Sequence, residues 1–233
     1  MALENIIALD QHLLSFFNGS NSLFLDTLVP QLTSGLAWIP LYIGLIYLVV
    51  KNNETMPQIA LAIGGALVCV LLAGGINDMI IKPLVGRLRP CNDLLIKEQL
   101  DLVAGVSESS FSFFSSHAAN TMAIAVFVSF LVRDRLLSSL MVFWSLINCW
   151  TRLYLGVHYP FDVLVGIVYG IIDGIVVYLI YRKLYLKFNP KINYISSQYT
   201  TTGYARADID VVFTIFIVSI AVFVINALLT VGI

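Results

Sequence analysis

Two histidines carry the strongest chemical signal in this sequence, because both lie beside other polar residues in a chain that is otherwise apolar. His117 and His158 can divide the work of nucleophile and general acid. Asp162 follows His158 by four residues, and its carboxylate can hold one imidazole nitrogen, which fixes the tautomer and raises the basicity of the other. Since the residue before a proline favours extended backbone, we expect a helix to begin at Pro160 with His158 just outside it.

Basic and hydroxyl side chains near the two histidines indicate an anion site. The planar guanidinium group of arginine matches the oxygens of a phosphate, and lysine adds a point charge. Ser115 and Ser116 stand at the predicted start of a helix, where free backbone N–H groups and the helix dipole favour an anion. The cations of this predicted site are Lys82, Arg87, Arg89 and Arg152.

Together these groups suit phosphoryl transfer without a metal ion. Cations neutralise the equatorial oxygens, one histidine attacks in line, and the other protonates the leaving alkoxide. The chain lacks the carboxylate cluster that a magnesium or two-metal site requires, so we predict no metal and no cofactor. It also lacks the Cys-x5-Arg loop of cysteine phosphatases, because Lys97 stands six residues beyond Cys91 and Leu155 stands six beyond Cys149.

The composition predicts that membrane helices position these residues. The 233 residues are 59% hydrophobic and 12% charged, with a mean hydropathy of +0.89, whereas soluble domains carry about a quarter charged residues. The formal net charge of −1 provides no basic field for a nucleic-acid partner. Three cysteines without a Cys-x-x-Cys pair argue against a disulfide framework or a zinc site.

We predict an all-α integral membrane protein, a bundle of six transmembrane helices that forms a single domain over residues 1–233. A bilayer core about 30 Å thick requires roughly 20 apolar residues per helix. The sequence offers six such stretches, of which the third and fourth are short. They are Leu28–Val50, Gln58–Ile81, His117–Val132, Leu136–Arg152, Phe161–Leu184 and Ile209–Val231.

The N-terminal segment Leu3–Phe17 lacks the basic start of a signal peptide. Its apolar residues recur at helical spacing, which predicts an amphipathic helix along the membrane interface, ended by Asn18-Gly19. A frayed polar lead-in is the alternative.

Six spans would place every cluster of polar residues at the end of the bundle that also holds both termini. The connections at the opposite end carry eight basic residues, and those at this end carry five. The positive-inside rule therefore predicts that the polar clusters face the non-cytoplasmic side of the membrane, the periplasm of a bacterium. The long loop 91–113 at this end has two interpretations, a cover over the site or a solvated connector.

Small and polar residues inside the fifth predicted span indicate contacts with its neighbours. Gly166, Gly170 and Gly174 recur every four residues, which predicts close helix packing, either within the bundle or between protomers. Asp173 is a carboxylate deep in an apolar helix, and we expect a structural hydrogen bond to another span, with Asn148 as a candidate partner.

Three segments of the sequence closely resemble the signature motifs of the type 2 phosphatidic-acid phosphatase superfamily, in the order and with the spacings of the family. The first motif, Lys-x6-Arg-Pro, matches 82–90, and the second, Pro-Ser-Gly-His, matches 114–117. The third, Ser-Arg-x5-His-x3-Asp, matches 151–162. The departures, none of which removes a catalytic functional group, are Phe114 for Pro, Ser116 for Gly and Thr151 for Ser.

This resemblance implies a role for each matched residue. His158 would attack phosphorus and form a phosphohistidine, Asp162 would orient His158, and His117 would protonate the leaving oxygen and later activate water. The phosphate would be held by Lys82, Arg89, Arg152, Ser115 and Ser116. Arg87 and Thr151 are possible supporting residues. Independently of the resemblance, Asp78 lies four residues before Lys82, a favourable helical spacing for an acid and a base, so it is either a partner of Lys82 or an ordinary interfacial charge.

The resemblance also implies a metal-independent phosphatase or diphosphatase that acts on a lipid phosphate within the bilayer of the bacterial inner membrane, with its active site facing the periplasm. The run 113–120, together with the N-terminal pattern of Asp10, Asn18-Gly19 and Asp26, is similar to enzymes of Bacteroides-type bacteria, so a phosphate of lipid A is the preferred substrate. Undecaprenyl diphosphate, phosphatidylglycerophosphate and phosphatidic acid are the alternatives. A lipid phosphotransferase or a non-catalytic lipid transporter is a more remote interpretation, and the sequence does not fix the oligomeric state.

Overall fold

The computed structural model describes residues 2–20, 22–103, 106, 108–188 and 197–232, and no β-strand occurs among them. The predicted all-α class is therefore confirmed for the described part of the chain. The helices are α1 (Ala2–Phe17), α2 (Leu23–Thr33), α3 (Ile39–Lys51), α4 (Met56–Val85), α5 (Ser116–Val132), α6 (Arg135–Tyr154), α7 (Pro160–Phe188) and α8 (Arg206–Val231).

Four of these helices are long and apolar enough to cross a membrane, namely α4, α6, α7 as far as Lys187, and α8. A fifth candidate joins α2 to Gly35–Lys51, but the two parts are bent by 68°. Helix α5 is apolar but has 17 residues, about 25 Å at 1.5 Å per residue, which is shorter than the hydrocarbon core. By length and composition the described helices supply four or five spans, so the predicted count of six is not confirmed.

The first predicted span, Leu28–Val50, is not one straight helix because the chain leaves the helical conformation at Ser34 (φ −72°, ψ 118°). Trp38 buries its whole side chain just beyond this break, and its ring packs on aromatic side chains of α6 and α8. The indole N–H donates to the carbonyl of Leu32 (2.8 Å), in the last turn of α2 where carbonyls lack helical partners. Burial of Trp38 therefore stabilises the bend.

Helix α5 is the centre of the bundle and packs most closely against α7. The three glycines of α7 face the backbone of α5, and a Cβ atom on Gly170 would lie 2.5 Å from the carbonyl oxygen of Ala119. Because only glycine permits this approach, the predicted packing of the glycine ridge is confirmed, and it lies within the bundle. The ridge sets the height of the first turn of α5 against the first turn of α7.

The N-terminal segment forms helix α1, and its exposed residues include several large apolar ones. Ile6, Leu9 and Phe16 are exposed, whereas Asp10 and Leu14 are buried. Its predicted place along the membrane interface stays a prediction.

The expected hydrogen bond between Asp173 and Asn148 is wrong. The amide of Asn148 donates to the carbonyl of Trp144 in its own helix (2.9 Å). Asp173 is buried in α7, and its Oδ2 atom has no hydrogen-bond partner within the described residues. This oxygen atom lies among apolar helices, where a carboxylate without a hydrogen bond costs free energy of folding.

Replacing Gly170 with alanine is expected to lower the thermal stability of the purified protein in detergent. The new methyl group would meet the carbonyl oxygen of Ala119, so α5 and α7 must separate, at a cost of about 1–3 kcal/mol. Gly64→Ala in α4 is the matched control, because nothing lies within 4 Å of a methyl group there. Unfolding followed by tryptophan fluorescence measures the difference, and equal midpoints for the two variants would contradict the packing argument.

Candidate active site

A polar cavity of about 500 Å³ lies where the end of α4, the start of α5 and the segment before α7 meet. The residues from distant parts of the sequence that were expected to share one site therefore lie at the same end of the bundle. The functional groups that line the cavity include Lys82, Arg89, Glu108, Ser116, His117 and His158.

His158 lies two residues before the start of α7, which begins at Pro160 as the sequence predicts. Its Nε2 atom is 3.0 Å from Nη1 of Arg89. Because a guanidinium group can only donate, Nε2 is the acceptor, and the proton of a neutral imidazole is on Nδ1. Burial and the charges of Arg89, Arg152 and Lys82 hold the pKa of His158 well below its ordinary value of 6.5, so the ring is neutral at neutral pH.

Ser112 connects His158 to the carboxylate that was expected to orient it. The distance from His158 Nδ1 to Asp162 Oδ2 is 3.7 Å, which is too long for a direct hydrogen bond. The hydroxyl of Ser112 donates a hydrogen bond to Asp162 Oδ2. Its oxygen lies 3.4 Å from Nδ1 of His158, so it can accept a hydrogen bond from the imidazole N–H. Sequence reasoning missed Ser112, because it lies outside all three motifs and only the loop conformation brings it to His158.

Asp162 is held from three sides in the first turn of α7. Its Oδ1 atom accepts from Nη1 of Arg87 (2.6 Å), and its Oδ2 atom accepts from the backbone N–H of Tyr159 (3.2 Å) as well as from Ser112. The guanidinium group of Arg87 also lies 3.8 Å from the ring centre of Tyr159. Arg87 therefore braces Asp162 and does not line the cavity, which agrees with the supporting place expected for it.

The first turn of α5 presents His117 and Ser116 to the cavity but turns Ser115 away from it. The Oγ atom of Ser115 accepts from the N–H of Ala118 (3.4 Å), and its own N–H donates to the carbonyl of Asp162 (3.0 Å). Ser115 thus caps α5 and fixes it to α7. Ser115 is not among the residues that line the cavity, and its expected contact with phosphate stays a prediction.

Helix α4 contains two π-helical stretches, Leu71–Gly75 and Asn77–Ile81, and its end supplies the lysine of the site. Such stretches are frequent at functional sites. Asp78 accepts from Ser116 (2.7 Å) and pairs with Lys82 (2.7 Å). The buried amide of Asn77 also donates to Ser116 (2.8 Å), so α4 and α5 are tied together beside the cavity.

Glu108, from the loop 91–113, lies between two of the predicted phosphate-binding arginines. Its Oε1 atom accepts from Nη2 of Arg152 (2.8 Å), and its Oε2 atom is 3.6 Å from Nη2 of Arg89. Burial raises the pKa of Glu108, but the two arginines lower it further, so the net shift is downward and the carboxylate is ionised. Glu108 was not expected in the site, since one acidic residue in a long loop carries no signal.

The two arginines are fixed by other contacts as well. Arg89 donates to the carbonyl and hydroxyl of Ser110 (both 2.8 Å). Arg152 donates to the hydroxyl of Thr33 (2.9 Å) at the end of α2. It does not line the cavity itself but binds Glu108, which does. The hydroxyl of Thr151 donates to a carbonyl of its own helix, so Thr151 makes no contact with the cavity.

Comparison with known proteins gives the family of the chain. The sequence model described as PAP2 superfamily matches residues 62–186. The lipid A 4'-phosphatase of Bacteroides thetaiotaomicron is 37% identical over 167 residues, which are 71% of this chain and 74% of that protein. The lipid A 4'-phosphatase of Porphyromonas gingivalis is 25% identical over 167 residues, 71% of this chain and 70% of that protein.

Two crystal structures share the fold. Aquifex aeolicus LpxE aligns with a TM-score of 0.54 and 24% identity, over 71% of this chain and 92% of that one. A PAP2-type phosphatidylglycerolphosphate phosphatase of Bacillus subtilis aligns with a TM-score of 0.56 and 19% identity, over 80% of this chain and 89% of that one. The family match covers more than half of the sequence and includes all three motifs, and on this basis the chain belongs to the PAP2 superfamily.

Proposed function

We propose that the protein is a membrane phosphatase that removes a phosphate monoester from lipid A at a site facing the periplasm. The observation that carries the chemistry is the buried, neutral His158, whose Nε2 lone pair faces Arg89 at the cavity. The lipid A substrate is supported by the curated relatives, of which one is 37% identical. The excess of basic residues at the opposite end of the bundle supports the periplasmic orientation.

In the proposed reaction the phosphate enters between Lys82, Arg89 and Arg152. Nε2 of His158 attacks phosphorus, and a P–N bond forms as the P–O bond breaks. His117, whose protonated form is stabilised by the bound phosphate dianion, gives its proton to the leaving oxygen and becomes neutral. Nδ1 keeps its proton and donates it toward Ser112. His117 then takes a proton from water, the resulting hydroxide attacks phosphorus, and the P–N bond breaks to release phosphate and restore His158.

Asp162 stabilises the phosphorylated imidazole through Ser112. When Nε2 bonds to phosphorus, the ring gains positive charge. The hydroxyl of Ser112 accepts from Nδ1 and donates to Asp162, so the positive charge of the ring is stabilised by the negative charge of a buried carboxylate. The charges on the transferred phosphoryl oxygens are balanced by the lysine and arginines.

Phosphate release by the purified protein in detergent tests this proposal. With EDTA present, we expect release from lipid A to exceed release from undecaprenyl diphosphate, phosphatidylglycerophosphate and phosphatidic acid. His158→Ala should lower turnover at least about a thousandfold, because the covalent step is lost. His12→Ala is the matched control, since His12 is an exposed histidine of α1 outside the cavity.

The outcomes of this assay separate the parts of the proposal. Equal turnover of His158→Ala and wild type would refute the nucleophile. Loss of activity in EDTA that magnesium restores would refute the metal-independent mechanism. Preference for another lipid of the panel would replace lipid A as substrate and leave the phosphatase proposal in place.

The protonation of His158 can be followed by 15N NMR, because the chain has only three histidines and His158→Asn assigns the signal. When the pH falls through 6.5, we expect the ring of His158 to stay neutral with its one proton on Nδ1, because the pKa of His158 lies below that value. Below about pH 6.5 the unfolded chain would take up a proton that the folded protein does not, so this residue lowers stability in acid. A protonated His158 ring at pH 7 would contradict the assigned state.

Glu108→Gln should strengthen binding of inorganic phosphate, because the ionised carboxylate competes for Arg89 and Arg152. We expect the inhibition constant of phosphate to fall about two- to fivefold, in line with a partly exposed ion pair. Glu98→Gln is the matched control, since Glu98 is an exposed acid of the same loop. Weaker inhibition of Glu108→Gln would show that Glu108 positions the arginines and does not compete with phosphate.

A further inference from the structure

Asp10 is a buried carboxylate on a helix that exposes several of its large apolar residues. It is 1% exposed, whereas Ile6, Leu9 and Phe16 are 51%, 51% and 81% exposed. Burying an ionised carboxylate costs free energy unless the group is paired and hydrogen-bonded. Asp10 must therefore be paired, and its partners show which parts of the site α1 contacts.

Each oxygen of Asp10 has one strong partner. Oδ2 accepts from Nη2 of Arg87 (2.7 Å), and Oδ1 accepts from the backbone N–H of Phe161 (2.9 Å). Phe161 is the second residue of α7, where the N–H groups lack partners within the helix. Asp10 thus caps α7 from another helix and also holds the arginine that braces Asp162.

Arg87 divides its two terminal nitrogens between two carboxylates. Nη2 bonds to Asp10, and Nη1 bonds to Oδ1 of Asp162 (2.6 Å). This leaves Oδ2 of Asp162 for Ser112, which leads to His158. A guanidinium group with a single carboxylate partner prefers to bind both of its oxygens. Without the charge on Asp10, Arg87 would compete with Ser112 for Oδ2 of Asp162.

We infer that Asp10 is a positioning residue for the proposed reaction, because it holds Arg87 on one oxygen of Asp162 and keeps the other oxygen for Ser112 and His158. This inference rests on the proposed function. Neither Asp10 nor Arg87 lines the cavity, so Asp10 acts on the chemistry through Asp162 and makes no contact with the substrate.

Asp10→Asn isolates the contact with Arg87. The variant keeps the size of the side chain and an oxygen that can accept from Phe161, but its amide nitrogen cannot accept from Arg87. Asp26→Asn is the matched control, because Asp26 accepts from the hydroxyl of Tyr154 (2.7 Å) and is not among the partners of Arg87. Thermal unfolding of both variants shows whether they fold.

Kinetics of Asp10→Asn, Asp162→Asn and the double variant test the inference. We expect Asp10→Asn to lower kcat about ten- to a hundredfold with KM changed less than about threefold, because phosphate binding is untouched. In the Asp162→Asn background the same change should cost less than about threefold. An unchanged kcat, or equal losses in both backgrounds, would overturn the positioning role.

A measurement without substrate separates this inference from the proposed function. The 15N signals of His158 should shift in Asp10→Asn in the same direction as in Asp162→Asn, and stay in place in Asp26→Asn. Unmoved signals in Asp10→Asn would overturn the positioning role even if the wild type proved inactive. A wild type that releases phosphate from no lipid would refute the proposed function. The shift of the 15N signals would still show whether Asp10 positions His158 through Arg87 and Asp162.

Discussion

Charged side chains buried at one end of an apolar bundle must find partners, and this requirement shapes the whole site. Lys82 pairs with Asp78, and Arg87 lies between Asp10 and Asp162. The guanidinium groups of Arg89 and Arg152 share the carboxylate of a loop residue. A cluster of unpaired cations in this place would be costly. The cations at this end of the bundle are therefore already neutralised by internal carboxylates.

Backbone packing gives this network its fixed geometry. The glycine ridge of α7 brings its backbone against α5, so the two helices that begin at the site cannot slide past each other without a clash. The amide of Asn77 in α4 donates to Ser116 at the start of α5, and the N–H of Ser115, the N-cap of α5, donates to the carbonyl of Asp162 in α7. Three helix ends are thus joined by polar contacts above an apolar core, which keeps the two histidines on one cavity.

The sequence predicted the parts of the site that depend on local spacing. The start of α7 at Pro160, the pairing of Asp78 with Lys82 and the approach of α5 to α7 all follow from residue types at fixed intervals. Ser112 and Glu108 could not be found this way, because they come from an irregular loop whose course is set by contacts with distant residues. Asp10 was also missed, since its partners lie far along the chain.

The first predicted span is bent, and the sequence carries a signal for the break that the prediction of one straight helix passed over. Between Leu28 and Val50 the apolar run is interrupted at Pro30-Gln31 and at Thr33-Ser34-Gly35, and such residues are typical of a break. The bend at Ser34 is stabilised by Trp38, whose burial against α6 and α8 is a tertiary effect. The bend also brings Thr33 to Arg152, so a segment that was predicted only as a membrane span supplies a contact to a residue of the site.

The partners of Asp10 have a consequence for how the protein is made. Arg87 follows Asp10 by 77 residues and Phe161 follows it by 151. At a synthesis rate of about 5–20 residues per second, Arg87 is made roughly 4–15 s after Asp10. Helix α1 is therefore synthesised before either partner of Asp10. The network around His158 closes only after translation has passed the start of α7, so no shorter nascent chain holds it in full.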